Sequence, residues 1–203
     1  MFGFVRMIIS GIAIVICWQI VRKKITPAKM KKMKIVLCII FVLTCTALNF
    51  VPFENLFVTF ETAEAAYDYC QPGKSGESFL IEGNESTFVV KNQNGTDSLL
   101  IVPKVENGWA VPLGIYLKTV ADRVFEDFSV RVYQYNNSTD YYIKVLAKKS
   151  YIQSLTDSNN TVFTERTPSA SDAPTFFIAY YAYVPNFNET YTLFVNGKSV
   201  VLG

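Results

Sequence analysis

The sequence predicts a membrane-anchored α+β protein, two transmembrane helices followed by a mostly antiparallel, sandwich-like β domain with one or two short helices. Three observations predict it. Two long apolar runs stand in the first quarter of the 203-residue chain, a basic segment without acids separates them, and the remainder is built of short runs punctuated by Gly, Asn and Asp. The expected organisation is a transmembrane hairpin over 1–54 and an extracytoplasmic, mainly β domain over 55–203.

The first span, about 2–21, reads FGFVRMIISGIAIVICWQIV and is interrupted only by Arg6, near enough to one end for its long stem to reach the interface. The second, 35–53, contains no charge. Each is about the ~20 residues a helix needs to cross a hydrocarbon core at ~1.5 Å per residue. Between them the loop 22–34 holds seven Lys/Arg and no acid, with Pro27 placed to discourage one continuous helix. A short basic loop is retained in the cytoplasm, so the chain after position 53 is expected outside, in a multi-pass protein of the cell membrane. The competing reading makes 29–48 a secretory signal with Ala63-Glu64-Ala65 as cleavage motif. That motif lies well beyond the apolar run, and both readings export the C-terminal domain.

Charge divides in the same way. Residues 1–54 hold eight Lys/Arg against Glu54, and the remaining 11 basic and 16 acidic residues leave 55–203 at −5. An acidic domain with mixed charges lacks the positive face that a phosphate backbone requires, which excludes nucleic acid as the expected partner. Cys17, Cys38 and Cys45 fall in the spans, so Cys70 stands alone in the outer domain and no disulfide can form within it. A disulfide-free exported domain of this size points to a bacterial cell envelope. Six Asn-x-Ser/Thr triplets, beginning at Asn84, Asn94, Asn136, Asn137, Asn159 and Asn188, are read as the chance product of Asn- and Thr-rich loops.

The chain has no histidine, which removes Ser-His-acid and Cys-His nucleophiles and the commonest zinc and haem ligand. Ser-x-x-Lys is also missing. Gly73-Lys74-Ser75 has the ending of a phosphate-binding loop, but Asp68 occupies the place of its first glycine. Acid clusters remain at Glu82 with Glu85 and at Asp122 with Glu126 and Asp127; solvated surface is their ordinary meaning, with glycosidase or cation-binding chemistry as the alternative. No enzyme activity, cofactor or metal is therefore expected.

In the outer domain, Thr62 caps a short helix over 62–69. Strands are expected at Phe79–Glu82, Ser86–Lys91 and Ser98–Pro103, with a hairpin loop over Asn92–Thr96, and Trp109–Val111 follows an Asn107-Gly108 turn as an edge strand. Residues 117–128 place Leu117, Val120, Ala121, Val124, Phe125 and Phe128 at helical spacing and predict a helix. The clearest hairpin joins Phe128–Tyr135 to Tyr141–Lys148, with alternating apolar and polar residues. Glu165–Pro174 reads as a Pro/Ser-rich loop. Thr175–Val184 is apolar on both alternating faces and predicts the middle strand of the sheet, with an exposed ridge of Tyr180, Tyr181 and Tyr183 as the alternative. A last hairpin turns at Asn196-Gly197.

These features point to a membrane-anchored binding, sensing or accessory module. Its partners are the lipid bilayer and a protein, small-molecule or cell-wall component outside the cytoplasm. The expected partner surface is the aromatic and charged face of the 128–148 hairpin: Arg131, Tyr133, Tyr135, Tyr142 and Lys144. An envelope hydrolase or transferase using carboxylates is the alternative from another class. A structural subunit bracing a membrane complex is a third.

Overall fold

A computed structural model of the protein describes residues 11–19, 27–50, 55, 57–73, 76–93, 96–112, 117–167, 177–185 and 187–203. The chain divides into two compact units, Met1–Phe57 and Val58–Gly203.

In the first unit, residues 11–19 form helix α1 and Pro27–Phe50 form helix α2. The remainder of the expected first span, 2–10 and 20–21, lies outside the described residues. The basic loop is shorter than the sequence suggests, because α2 begins at Pro27 and takes in Lys29, Lys31, Lys32 and Lys34. Proline's missing N–H costs nothing in a first helical turn, so Pro27 starts the helix instead of breaking it. Among the described residues no helix is long and apolar enough to cross a membrane. The part of α2 whose side chains are described continuously, 34–44, covers only part of the second expected span. Within it Ile35, Val36, Ile39, Ile40, Val42 and Leu43 are all exposed, on more than one face of the helix.

The second unit is mostly antiparallel β. It begins with helix α3, Ala63–Cys70, whose Thr62 cap is extended at φ −134 and accepts a hydrogen bond from the Ala65 N–H at 3.1 Å. Ala63, Ala66 and Tyr67 pack on Val89, Leu100 and Val102, which fixes the helix to a sheet. That sheet has the order β1-β2-β3-β4, from strands Ser78–Glu82, Ser86–Gln93, Thr96–Val105 and Gly108–Trp109. The β2–β3 pairing runs on to Gln93↔Thr96, so Asn92, Gln93 and Thr96 belong to strands and the expected loop shrinks to 94–95, outside the described residues.

A five-stranded sheet follows, in the order β5-β6-β7-β10-β9: Lys118–Val124, Phe128–Gln134, Tyr141–Lys148, Phe177–Val184 and Thr164–Arg166. The third sheet, β12-β11-β8, contains Lys198–Val201, Thr192–Val195 and Leu155–Asp157. Its hairpin turns at Asn196 (φ 52) and Gly197 (φ 77), the positive dihedrals that a two-residue turn needs. Asn196 also ties the turn down: its Oδ1 accepts from the N–H groups of Gln153 and Ser154, and its Nδ2 donates to the Tyr151 carbonyl at 2.6 Å.

Both faces of the five-stranded sheet are covered along its inner strands β6, β7 and β10. On one, Val130, Val132, Ile143, Val145 and Val184 meet Tyr191, Leu193, Val195 and Val200 of the three-stranded side. On the other, Tyr133, Tyr142, Ala179 and Tyr181 meet Phe88, Val90 and Ile101.

Three expectations need correction. Residues 118–124 are strand β5 and not a helix: they pair with β6 at the sheet edge, and Val120 and Val124 are exposed where a helical stripe would have buried them. Here β-branched residues and the neighbouring strong strand outweigh 3.6-residue spacing. The start of the expected 165–174 loop forms β9 against β10, while 168–174 lie outside the described residues. Strand β10 is apolar on both faces because two other sheets cover it, yet β7 is the middle strand, since β9 lies beyond β10.

Candidate functional site at the hairpin end

The alternation along β6 and β7 sends Val130, Val132, Ile143 and Val145 to one face and Arg131, Tyr133, Tyr142 and Lys144 to the other, as the pleat requires. The second face does not look outward. Tyr133 and Tyr142 are buried, and both stack on Phe88 of the opposing sheet, with ring centroids 5.5 and 5.1 Å away. Lys144, 17 % exposed, reaches Asp97 at 3.1 Å and lies over the Tyr181 ring, while the Tyr181 hydroxyl donates to the same carboxylate at 2.7 Å. Arg131 is exposed but occupied, donating twice to Asp122 at 2.9 and 2.7 Å. Of the five residues expected to form a partner surface, Tyr133 and Tyr142 are therefore core, Lys144 is mostly covered, Arg131 is an exposed ion pair, and Tyr135 alone borders a cleft. The β1–β4 sheet is what covers Tyr133, Tyr142 and Lys144.

Polar side chains in that layer are satisfied from within. The fully buried Asp140, just before β7, accepts from the N–H groups of Asn84, Glu85 and Ser86 at 3.1, 2.8 and 2.8 Å. It also accepts from the Ser86 hydroxyl at 2.8 Å and the Tyr183 hydroxyl at 2.9 Å. Burial, with the carboxylate beside it, pushes the Tyr183 phenol up to about 12. Burial likewise raises the pKa of Tyr142, whose hydroxyl donates to the Ser86 carbonyl. These links fasten the β1–β2 turn to the β6–β7 hairpin.

What remains open is the loop between β6 and β7. Its turn is closed by a hydrogen bond from the Ser138 N–H to the Tyr135 carbonyl at 2.9 Å, with Asn136 at φ 47, a conformation asparagine tolerates well. A cleft lies on each side. The first, about 610 Å³, has the amides of Gln134, Asn137 and Asn188 and the hydroxyls of Ser138, Thr139 and Tyr141 in its walls. Phe187 adds an apolar face, stacked on Tyr141 at 5.0 Å, and Lys118 is the only charged side chain among the described residues of the lining. The second, about 560 Å³, lies between Tyr135 and the Pro103–Glu106 and Asn84–Glu85 segments. Asn137 and Ser138 border both.

The acid clusters do not converge. Asp122 bonds Arg131 and Asp127 bonds Lys148, Glu82 stands 3.7 Å from Lys104, and Glu85 accepts from Thr139. Among the described residues no group of three or more acids or cysteines is gathered to hold a metal ion. The arrangement at the hairpin end offers hydrogen-bond donors, acceptors and one stacked aromatic wall, with Glu85, Lys104 and Glu106 lining the second cleft. Sequence reasoning missed Gln134, Tyr141, Phe187 and Asn188. Phe187 and Asn188 lie 39 and 40 residues beyond the end of the hairpin at Lys148 and reach the cleft through the β7–β10 pairing. The signal that was legible was the Asn-rich loop itself. No family model, curated protein or solved structure matches the chain.

Proposed function

We propose that the chain is a membrane-anchored binding module of the cell envelope, with its β unit outside the cytoplasm and its contact site at the β6–β7 end. The observation that carries the binding part is the pair of clefts sharing Asn137 and Ser138, the first lined mainly by amides and hydroxyls and the second also by Glu85, Lys104 and Glu106. The anchoring part is supported by the sequence and by α2. Two apolar runs flank a basic segment, and the exposed apolar side chains of α2 spread over an arc of about 160° at 3.6 residues per turn, a broad apolar surface that lipid or other helices would cover.

Thiol labelling in intact cells tests both parts, using chains whose only cysteine is Val105→Cys, at an exposed position lining the second cleft, or, as control, Lys29→Cys. A membrane-impermeant reagent is expected to label position 105 and not 29, and to react at 105 more slowly in cells than after detergent extraction, because a ligand occupies the clefts. Labelling at 29 instead of 105 sinks the topology. Equal rates at 105 before and after extraction sink the binding role.

A further inference from the structure

We infer that the two clefts bind a neutral, linear oligosaccharide laid across the Asn137–Ser138 ridge, a ligand class that rests on the binding-module reading above. Sugar hydroxyls donate and accept at once, and planar amides answer them in kind. The three amides of the first cleft are positioned for that. Gln134 commits its Nε2 to the Ser138 carbonyl and the Tyr141 hydroxyl, which leaves Oε1 as an acceptor. Asn188 commits its Oδ1 to the N–H and hydroxyl of Thr190, which leaves Nδ2 as a donor. Asn137, exposed on the ridge between the clefts, supplies both kinds of group.

The stacked Tyr141–Phe187 pair gives the wall an aromatic surface of the sort that the C–H face of a pyranose covers. Each cleft has the volume of a small-ligand site, and their shared border favours a chain over a single ring. Charge selects among glycans. Lys118 is the one charged side chain among the described residues lining the first cleft, Glu85, Lys104 and Glu106 leave the second with a net −1, and the −5 of residues 55–203 likewise repels a polyanion.

The test is calorimetric titration of the full chain, held in a detergent without a sugar headgroup, with chitotetraose, cellotetraose and tetragalacturonate. One of the neutral tetrasaccharides is expected to bind, with slowed amide exchange at 134–141 and 187–188, and tetragalacturonate is not. Asn137→Ala and Phe187→Ala are each expected to weaken binding about tenfold, the cost of about one good contact. Phe187 also packs against Tyr191, so its replacement can loosen the fold. Asn137 is exposed, and its variant isolates the contact. Failure of both neutral probes, binding of tetragalacturonate alone, or affinity unchanged in both variants overturns the ligand class. If position 105 nevertheless stays protected in cells, the binding-module reading survives that failure; if protection is lost too, both fall.

Discussion

Replacing Asp140 by alanine removes one side chain and strands five donors. Three are backbone N–H groups of Asn84, Glu85 and Ser86, and two are the hydroxyls of Ser86 and Tyr183. The two bonds from Ser86 are buried, while the other three lie where water can partly enter. A buried donor without a partner costs ~1–3 kcal/mol, and one that rehydrates costs less. The Ser86 hydroxyl keeps a neighbour in the Tyr142 hydroxyl at 2.9 Å, which trims the total. The expected loss is therefore ~3–5 kcal/mol, a large part of the ~5–15 kcal/mol that holds a typical domain folded. Asp140→Asn keeps the volume and one acceptor oxygen but turns an amide N–H₂ toward the donors, so it should fall between alanine and the native residue. Urea unfolding of the full chain in detergent gives the free energy, and amide exchange at 84–86 gives its location. A loss below ~1 kcal/mol with those three amides still protected would refute the claim that this carboxylate holds the β1–β2 turn.

Three further outcomes follow from named contacts. Gly83→Ala should destabilise by ~2 kcal/mol or more in the same urea assay, because a methyl group there runs into the Tyr142 hydroxyl and the Asp140 carboxylate. Asn196→Ala should cost ~1–3 kcal/mol and speed amide exchange at Gln153 and Ser154, having removed both their acceptor and the positive-φ residue of the turn. Burial acts to raise the Asp157 pKa, but hydrogen bonds from Thr161, Tyr191 and Asn159 together outweigh it and hold this carboxylate below its ordinary value. Its contribution is then complete above the unfolded value of about 3.9 and fades as pH falls through the lower folded value. Acid titration below pH ~4 should accordingly expose the Thr161 amide in the native chain, with a flat response in Asp157→Asn.

Strand positions were largely legible because their causes are local. The Asn196-Gly197 turn, the alternation in β6 and β7, and the Thr62 cap each rest on a few neighbouring residues. The helix expected over 117–128 failed because the apolar positions at helical spacing also allow a strand, and only pairing with β6 decides between them. The partner surface failed for a related reason. Arg131, Tyr133, Tyr142 and Lys144 have the polarity of a wet face, yet Asp97, Phe88 and Ser86 arrive from another sheet to satisfy and cover three of them. A sequence shows that Tyr142 carries a hydroxyl; it does not show that the Ser86 carbonyl receives it. The clefts were legible only through the loop between β6 and β7, since Phe187 and Asn188 come from a distant segment.

Enclosure of the inner strands of the five-stranded sheet on both sides changes what mutation can do to them. In a half-exposed strand every second position drifts freely, whereas β7 and β10 have interior neighbours at both parities, from Val145 and Val184 on one side to Tyr142 and Tyr181 on the other. Selection on stability therefore leaves those strands little room to acquire a new surface. Novelty in this architecture is confined to the strand ends, and the exposed positions of the loop before Asp140, Asn136, Asn137 and Thr139, are where a descendant could change its surface without rebuilding its interior.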